Sequence, residues 1–420
     1  MIRPATLATM LALGLGLGLG LGLSAVAARA QAPDGGQVRL RVATFNASLF
    51  GAEAGELAGR LRGRQDEQIR RVAAVIQAVR PDVVLINEFD FDGTGRAAQD
   101  FMFNYLMRRQ FGLDAIRYRY HHTAPVNTGV ASPFDLNRDG EQGGPGDAWG
   151  FGAFPGQYGM LVLSRYPIDR GRLRSFRLFK WKDMPDALLP VHPSGHAWYS
   201  DTMLRWLPLS SKSIWDVPVW TPAGHLHLLA SHPTPPVFDG EEGRNSRRNH
   251  DEIRFLADYV SADPGRSAYI YDDEGRTGGL EAGAQFVIAG DLNADPLDGA
   301  SFPGAIDQLL AHPQIQATPV PASAGGAESA HRLGGGNLAH RGDPGHDTAV
   351  FGDPPGNLRV DYVLPSTGVR VTDAGVYWPV SDDTAAYLLD ASDHRLVWID
   401  IGIDMPPEQP RRRPRAGRYR

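Results

Sequence analysis

Apolar and polar positions fall along the chain in blocks, and each block predicts an element. Arg39–Asn46 alternates and reads as a strand that stops at a polar residue. Gln65–Arg80 places Ile69, Val72, Ala73, Ile76 and Val79 at helical spacing, and Pro81 stops it. Asp82–Glu88 (DVVLINE) is almost continuously apolar, the pattern of a strand buried on both faces. Tyr105–Phe111 closes a further predicted helix. More strands are predicted at Tyr158–Ser164, Gly171–Phe179, Trp215–Trp220, His225–Ser231, Gln285–Gly290, Arg359–Leu364, Val369–Tyr377 and Leu396–Ile401. Helices are predicted at Arg247–Tyr259 and Gly304–His312. Residues 123–157 and 180–214 read as long insertions, and 316–358 as loop. Strands outnumber helices, so the expected class is α/β, with two packed sheets and helices outside them.

The ends change the picture. Arg3 precedes an uncharged Leu/Gly run from Pro4 to Ala28, followed by Ala28-Arg29-Ala30 and Ala30-Gln31-Ala32, small-x-small patterns that a signal peptidase reads. Residues 1–32 are therefore expected to be a signal peptide and the protein to be exported, periplasmic or extracellular. An uncleaved membrane anchor is the alternative, disfavoured by glycine at alternate positions of the run. Residues 33–404 form the expected folded domain, and 405–420 an Arg/Pro-rich tail expected to be disordered. The net charge of −6 hides an asymmetry. Setting aside Arg3, Arg29 and six terminal arginines leaves 34 of 42 basic residues against 48 acids, about −14 for the body. Such a body does not draw polyanions by charge alone, but it suits carboxylates that hold a divalent cation. Without cysteine, neither disulfides nor thiolate chemistry is available.

Polar residues at strand ends carry the chemistry. The first strand stops at Asn46, and DVVLINE at Asn87 and Glu88. FVIAG runs into Asp291-Leu292-Asn293, and Ser392-Asp393-His394 precedes the last strand. Any one of these is an ordinary turn residue; together, on the rims of buried strands, they can ligate a hard cation and move protons.

This ordered set resembles the endonuclease/exonuclease/phosphatase superfamily, which includes pancreatic deoxyribonuclease, abasic-site endonucleases and sphingomyelinases. The resemblance rests on Thr44-Phe45-Asn46, Asn87-Glu88, Tyr158-Gly159 with Leu163-Ser164-Arg165, Ser231-His232, Gly290-Asp291-Leu292-Asn293, Val360-Asp361-Tyr362-Val363 and Ser392-Asp393-His394, over residues 38–403. It implies a four-layer α/β/β/α sandwich of two mixed sheets with the site at one edge. It implies Glu88 as a metal ligand, with Asn46 beside it and Asp393 as a further acid near the metal. It also implies His394 oriented by Asp361, Asp291 and Asn293 positioning the attacking water, and His232 on the phosphate or leaving group. The expected cofactor is Mg²⁺ or Mn²⁺. The expected partner is a phosphoester substrate (nucleic acid, phospholipid headgroup or small phosphate ester), acted on by a monomer with no protein partner evident. Some family nucleases carry an acid two residues after the Asn46 equivalent; Ser48 stands there, which puts a second tightly bound metal in doubt.

Three weaker features complete the reading. Asp135, Asn137 and Asp139, followed by Gly140, match half of a calcium loop, but Gly146 stands where the bidentate acid belongs; a structural Ca²⁺ site and an Asx-rich turn both remain open. Lys180, Trp181, Lys182, Trp198, Tyr199, Lys212 and Trp215 form either a substrate lip or part of the core. Arg247 and Arg248 either clamp phosphate or line a solvated helix face. The predicted function is metal-dependent phosphoester hydrolysis, with a catalytically silent binding protein on the same scaffold as the alternative.

Overall fold

The computed structural model describes residues 36–405; the expected leader, and the tail after Met405, lie outside the described residues. The first sheet contains β1 (Gln37–Leu49), β2 (Val83–Phe89), β3 (Tyr120–His122) and β4 (Met160–Ser164), with β12 (Arg370–Val376) and β13 (Val397–Asp404). Its order is β12-β13-β1-β2-β4-β3, with β1 parallel to β2 and every other pair antiparallel. The second sheet contains β5 (Arg174–Ser175), β6 (Ile214–Thr221), β7 (Gly224–Ser231), β8 (Gln285–Asp291) and β11 (Asp361–Pro365), in the order β11-β8-β7-β6-β5 with β7 parallel to β8. A small ladder joins β9 (Ala349–Val350) to β10 (Asn357–Leu358).

Alternate residues of the same strand enter different cores, so DVVLINE shows no alternation of polarity although its side chains do alternate. Val84 and Ile86 meet the helix layer formed by α1 (Glu56–Arg62), α2 (Glu67–Val79) and α3 (Arg96–Phe101), whereas Val83 and Leu85 enter the core between the sheets. Likewise Val287 and Ala289 face the inter-sheet core, where Trp215 and Ile399 also lie. Phe286 and Ile288 face the opposite helix layer, dominated by Ile253, Phe255 and Leu256. Three cores thus separate four layers, as expected for the sandwich.

Helix α2 starts where Asp66 accepts the Ile69 amide (3.0 Å) and is gripped by Arg60, and it ends at Arg80, which adopts φ +56° before Pro81. On the other side, α4 (Asp201–Leu204) lies within the second insertion, followed by α5 (Arg244–Tyr259), α6 (Pro264–Ser267) and α7 (Asp307–Leu310). Four expectations need correction. The strand expected over Gly171–Phe179 is only Arg174–Ser175. The helix expected at Tyr105–Phe111 is α3 followed by a wider turn ending at Leu106. The helix at Gly304–His312 shrinks to α7. Residues 316–358 are not all loop, because they contain α8 (Ala324–Leu333), capped by Ser323. Its two glycines and small side chains give no apolar stripe, which is why periodicity misses it.

Candidate active site

The rims of the two sheets are tied by asparagine. Asn87, at the end of β2, donates to the Ser231 carbonyl (3.2 Å) and accepts from the Asp291 amide (3.2 Å), so one side chain joins the first sheet to β7 and β8. A Cβ on Gly290 would lie 1.9 Å from the Ser231 carbonyl oxygen, so only glycine permits β8 to run this close to β7. Asn46 crosses the same gap, donating to Asp291 Oδ2 (3.0 Å). Beyond Asn46 the pairing of β1 slips and Ser48 adopts φ +48°; Glu88 (+56°), Tyr158 (+54°) and Asn293 (+52°) share this left-handed conformation. Such backbone is costly for non-glycine residues and is concentrated here on the rim.

Four predicted residues meet around Asp291. His232 Nε2 lies 3.4 Å and His394 Nε2 3.8 Å from Asp291 Oδ2, and the Asn293 amide donates to Asp291 Oδ1 (3.0 Å). His394 Nδ1 donates to Asp361 Oδ2 (2.8 Å), which also accepts the Thr348 hydroxyl (2.8 Å). One donor atom from each of Asp291, Asp361 and His394 falls within 4.8 Å of the others, and all three residues are buried. Thr348 was missed from the sequence. Its hydroxyl also accepts the amides of Val360 and Asp361, but it stands in a stretch without periodicity, and no pattern marks it.

Electrostatics sort the roles. Burial disfavours the imidazolium of His394, yet the carboxylates of Asp361 and Asp291 outweigh it and push His394 up to about 10. Burial also opposes ionisation of Asp291, but the His394 charge and the His232 hydrogen bond hold it well below the usual carboxylate range. Burial and the Lys212 charge drive His232 down to about 4, so it is neutral at pH 7. Burial pushes Glu88 up to about 7, against the pull of His394 and Asn46.

A family profile described as Endonuclease/Exonuclease/phosphatase matches residues 43–394, a span that includes every residue of this rim. The chain belongs to that family. It is accordingly a metal-dependent phosphoric ester hydrolase. Among solved structures it is similar to an endonuclease/exonuclease/phosphatase from Beutenbergia cavernae (20% identity, 87% of this chain and 72% of that one, TM-score 0.47). It is also similar to sphingomyelinase C from Streptomyces griseocarneus (17% identity, 87% and 100% covered, TM-score 0.43). Beta toxin from Staphylococcus aureus, in a mutant form with bound magnesium ions, aligns at 11% identity (86% and 99% covered, TM-score 0.44). No curated protein matches in sequence.

The donor set fits a hard divalent cation. Glu88 is partly exposed, and its carboxylate is disfavoured by burial until a cation meets it; Asp361 Oδ1 is buried without a partner, and the Asn46 side chain hydrogen-bonds Glu88 while its Oδ1 accepts the Ser48 amide (3.2 Å). Asp393 is exposed, its Oδ1 accepts from Ser48 (3.0 Å) and Ser392 (3.3 Å), and its charge also favours the His394 imidazolium. Ser48 thus bonds the very acid that an acid in its place would repel.

The weaker features resolve toward structure. Asn137 and Asp139 accept the amides of Asp139 and Glu141, and Asp135 accepts that of Gly140, which makes this segment an Asx-rich turn. Trp181, Trp198, Tyr199 and Trp215 are buried and form no lip. Arg248 is spent on the carbonyls of Leu209, Trp149 and Pro208, because its side chain points into the protein. Arg247 lies over the Phe302 ring. Past Glu88, a cavity of about 570 Å³ opens between α1, Asp90–Thr94 and the first insertion, lined by Val126, Val130, Phe154 and Arg177.

Proposed function

We propose that the protein is an exported phosphoesterase that hydrolyses a phosphodiester or phosphomonoester by attack of water, with Mg²⁺ or Mn²⁺ held at Glu88 and Asn46. The observation that carries this reading is the convergence of Asp291, Asp361 and His394 within 4.8 Å on a rim that also presents Glu88. When bound, the divalent ion neutralises charge on the phosphoryl oxygens and polarises the water. Asp291, kept ionised, accepts a hydrogen bond from the attacking water and takes its proton. Asn293 fixes the Asp291 carboxylate through its amide. His394, already an imidazolium, donates Nε2–H to a phosphoryl oxygen, while Asp361 holds its tautomer and ring orientation. Neutral His232 supports the same Asp291 oxygen through Nε2 and faces the leaving group. Export is supported by the signal-like residues 1–32, and the N-terminal residue of the secreted protein tests it.

The test is turnover of bis(p-nitrophenyl) phosphate and p-nitrophenyl phosphate with Mg²⁺, Mn²⁺, Ca²⁺ or EDTA, followed by DNA, RNA, phospholipid and inositol phosphates under the best metal. Metal-dependent turnover is expected. His394→Ala and Asp291→Ala should each lower kcat by about two to four orders of magnitude while the circular dichroism spectrum persists. Wild-type turnover in either variant removes that residue from its role, and no turnover by the wild-type protein overturns the reading.

A further inference from the structure

The chain has three lysines, and two have evident partners: Lys180 donates to the Trp206 carbonyl, and Lys182 pairs with Asp183. Lys212 differs. It is 6% exposed, yet among the described residues its ammonium makes no hydrogen bond and no ion pair. Its backbone is fixed, with the amide donating to the Ser210 hydroxyl and the carbonyl accepting from the Asn127 amide (2.9 Å). Glu252 holds this segment against the end of β7, accepting the Ser211 amide (2.8 Å) on one oxygen and the Thr234 amide (2.7 Å) on the other. Lys212 therefore stands beside His232, just before β6, with its flanking positions locked.

The carboxylates that act on Lys212 are Glu252 of α5 first, then Glu88 and Asp291 of the rim. Glu252, Glu88 and Asp291 favour its ammonium, while burial and Arg248 oppose it. Its charge in turn depresses His232. None of the three acids takes it as a direct partner. Both Glu252 oxygens are occupied by amides, and Asp291 is occupied by Asn46, His232 and the Asn293 amide. A buried cation beside the rim acids but in direct contact with none of them is costly unless an anion arrives to meet it.

We infer that Lys212 binds a non-bridging oxygen of the substrate phosphate, as a fixed cation of the protein opposite the metal-binding acid Glu88. The inference rests on the phosphoester reading above. It means that part of the charge neutralisation is built into the chain, and that phosphate recognition and metal binding are separable.

The experiment uses full-length wild-type protein, Lys212→Met and Lys212→Arg, with inorganic phosphate as the probe. Phosphate is titrated calorimetrically at saturating Mg²⁺, and Mg²⁺ is titrated separately. Lys212→Met should weaken phosphate about ten- to hundredfold and leave the Mg²⁺ affinity within about twofold of wild type. Lys212→Arg should recover part of the phosphate affinity. Unchanged phosphate binding in Lys212→Met overturns the inference, as does wild-type protein that does not bind phosphate. A purely structural counter-ion would show instead as a lowered melting temperature restored by adding Glu252→Gln, with phosphate affinity intact; that too overturns it. If Lys212→Met does not fold, Lys212→Gln takes the same titrations. A wild-type protein that binds phosphate through Lys212 but cleaves no ester would sink the proposed function alone.

Discussion

At the scale of single residues, the rim works by setting neighbouring charges against each other. Glu88 is raised by burial, so the metal-free protein should lose stability as pH rises from the ordinary glutamate value of 4.5 through about 7, where the buried carboxyl ionises. Melting temperatures between pH 5 and 8 should show this fall, and both Mg²⁺ and Glu88→Gln should remove it. The same proton competes with the cation, so Mg²⁺ affinity should weaken about tenfold per pH unit below 7 and level off above it. His394 has the opposite dependence on its partner. Its charge persists until about pH 10 because Asp361 and Asp291 outweigh burial, and activity that depends on the imidazolium should fall only as pH rises through that value. Asp361→Asn removes one of the two carboxylates. The alkaline limb of kcat against pH should then move to lower pH; a limb that stays in place would show that Asp361 does not hold that proton.

At the scale of elements, the geometry depends on where strands stop and how closely they approach. Gly290→Ala would set a methyl group 1.9 Å from the Ser231 carbonyl and force β7 and β8 apart. Urea unfolding should record a loss of about 3 kcal/mol, and kcat should fall with it, because Asp291 ends β8 and His232 directly follows β7, the two strands that separate. Much of this level was legible in the sequence. The buried strands DVVLINE and QFVIAG end in polar residues, α2 repeats with clear helical spacing and stops at proline, and both signals are local. The misses were of a different kind. Helix α8 is built from small residues with no apolar stripe, and Thr348 reaches Asp361 only through the fold. Arg248 follows the expected helix, but its side chain turns inward to three carbonyls contributed by distant loops. Lys212 looked like one of a group of aromatics and cations. Only the packing separates it from Trp181 and Trp215, which are buried in the core.

At the scale of the whole molecule, the two insertions differ in how they are fastened. The second is pinned to α5 by Asp251, a fully buried acid that accepts the Trp181 indole N–H and the Leu188 amide, each at 2.7 Å. Asp251→Ala leaves two donors without a partner and should cost about 2–4 kcal/mol, with faster proteolysis confined to residues 180–214. Equal proteolysis rates in the two proteins would show that the pin is dispensable. The first insertion supplies Val126, Val130 and Phe154 to the cavity beyond Glu88. The seam between Gly290 and Ser231 has a consequence for both. Since β7 and β8 already run at a spacing that only glycine allows at position 290, any larger side chain there would shift His232 against Asp291, and fitting the enzyme to new cargo falls to the loops rather than to this seam.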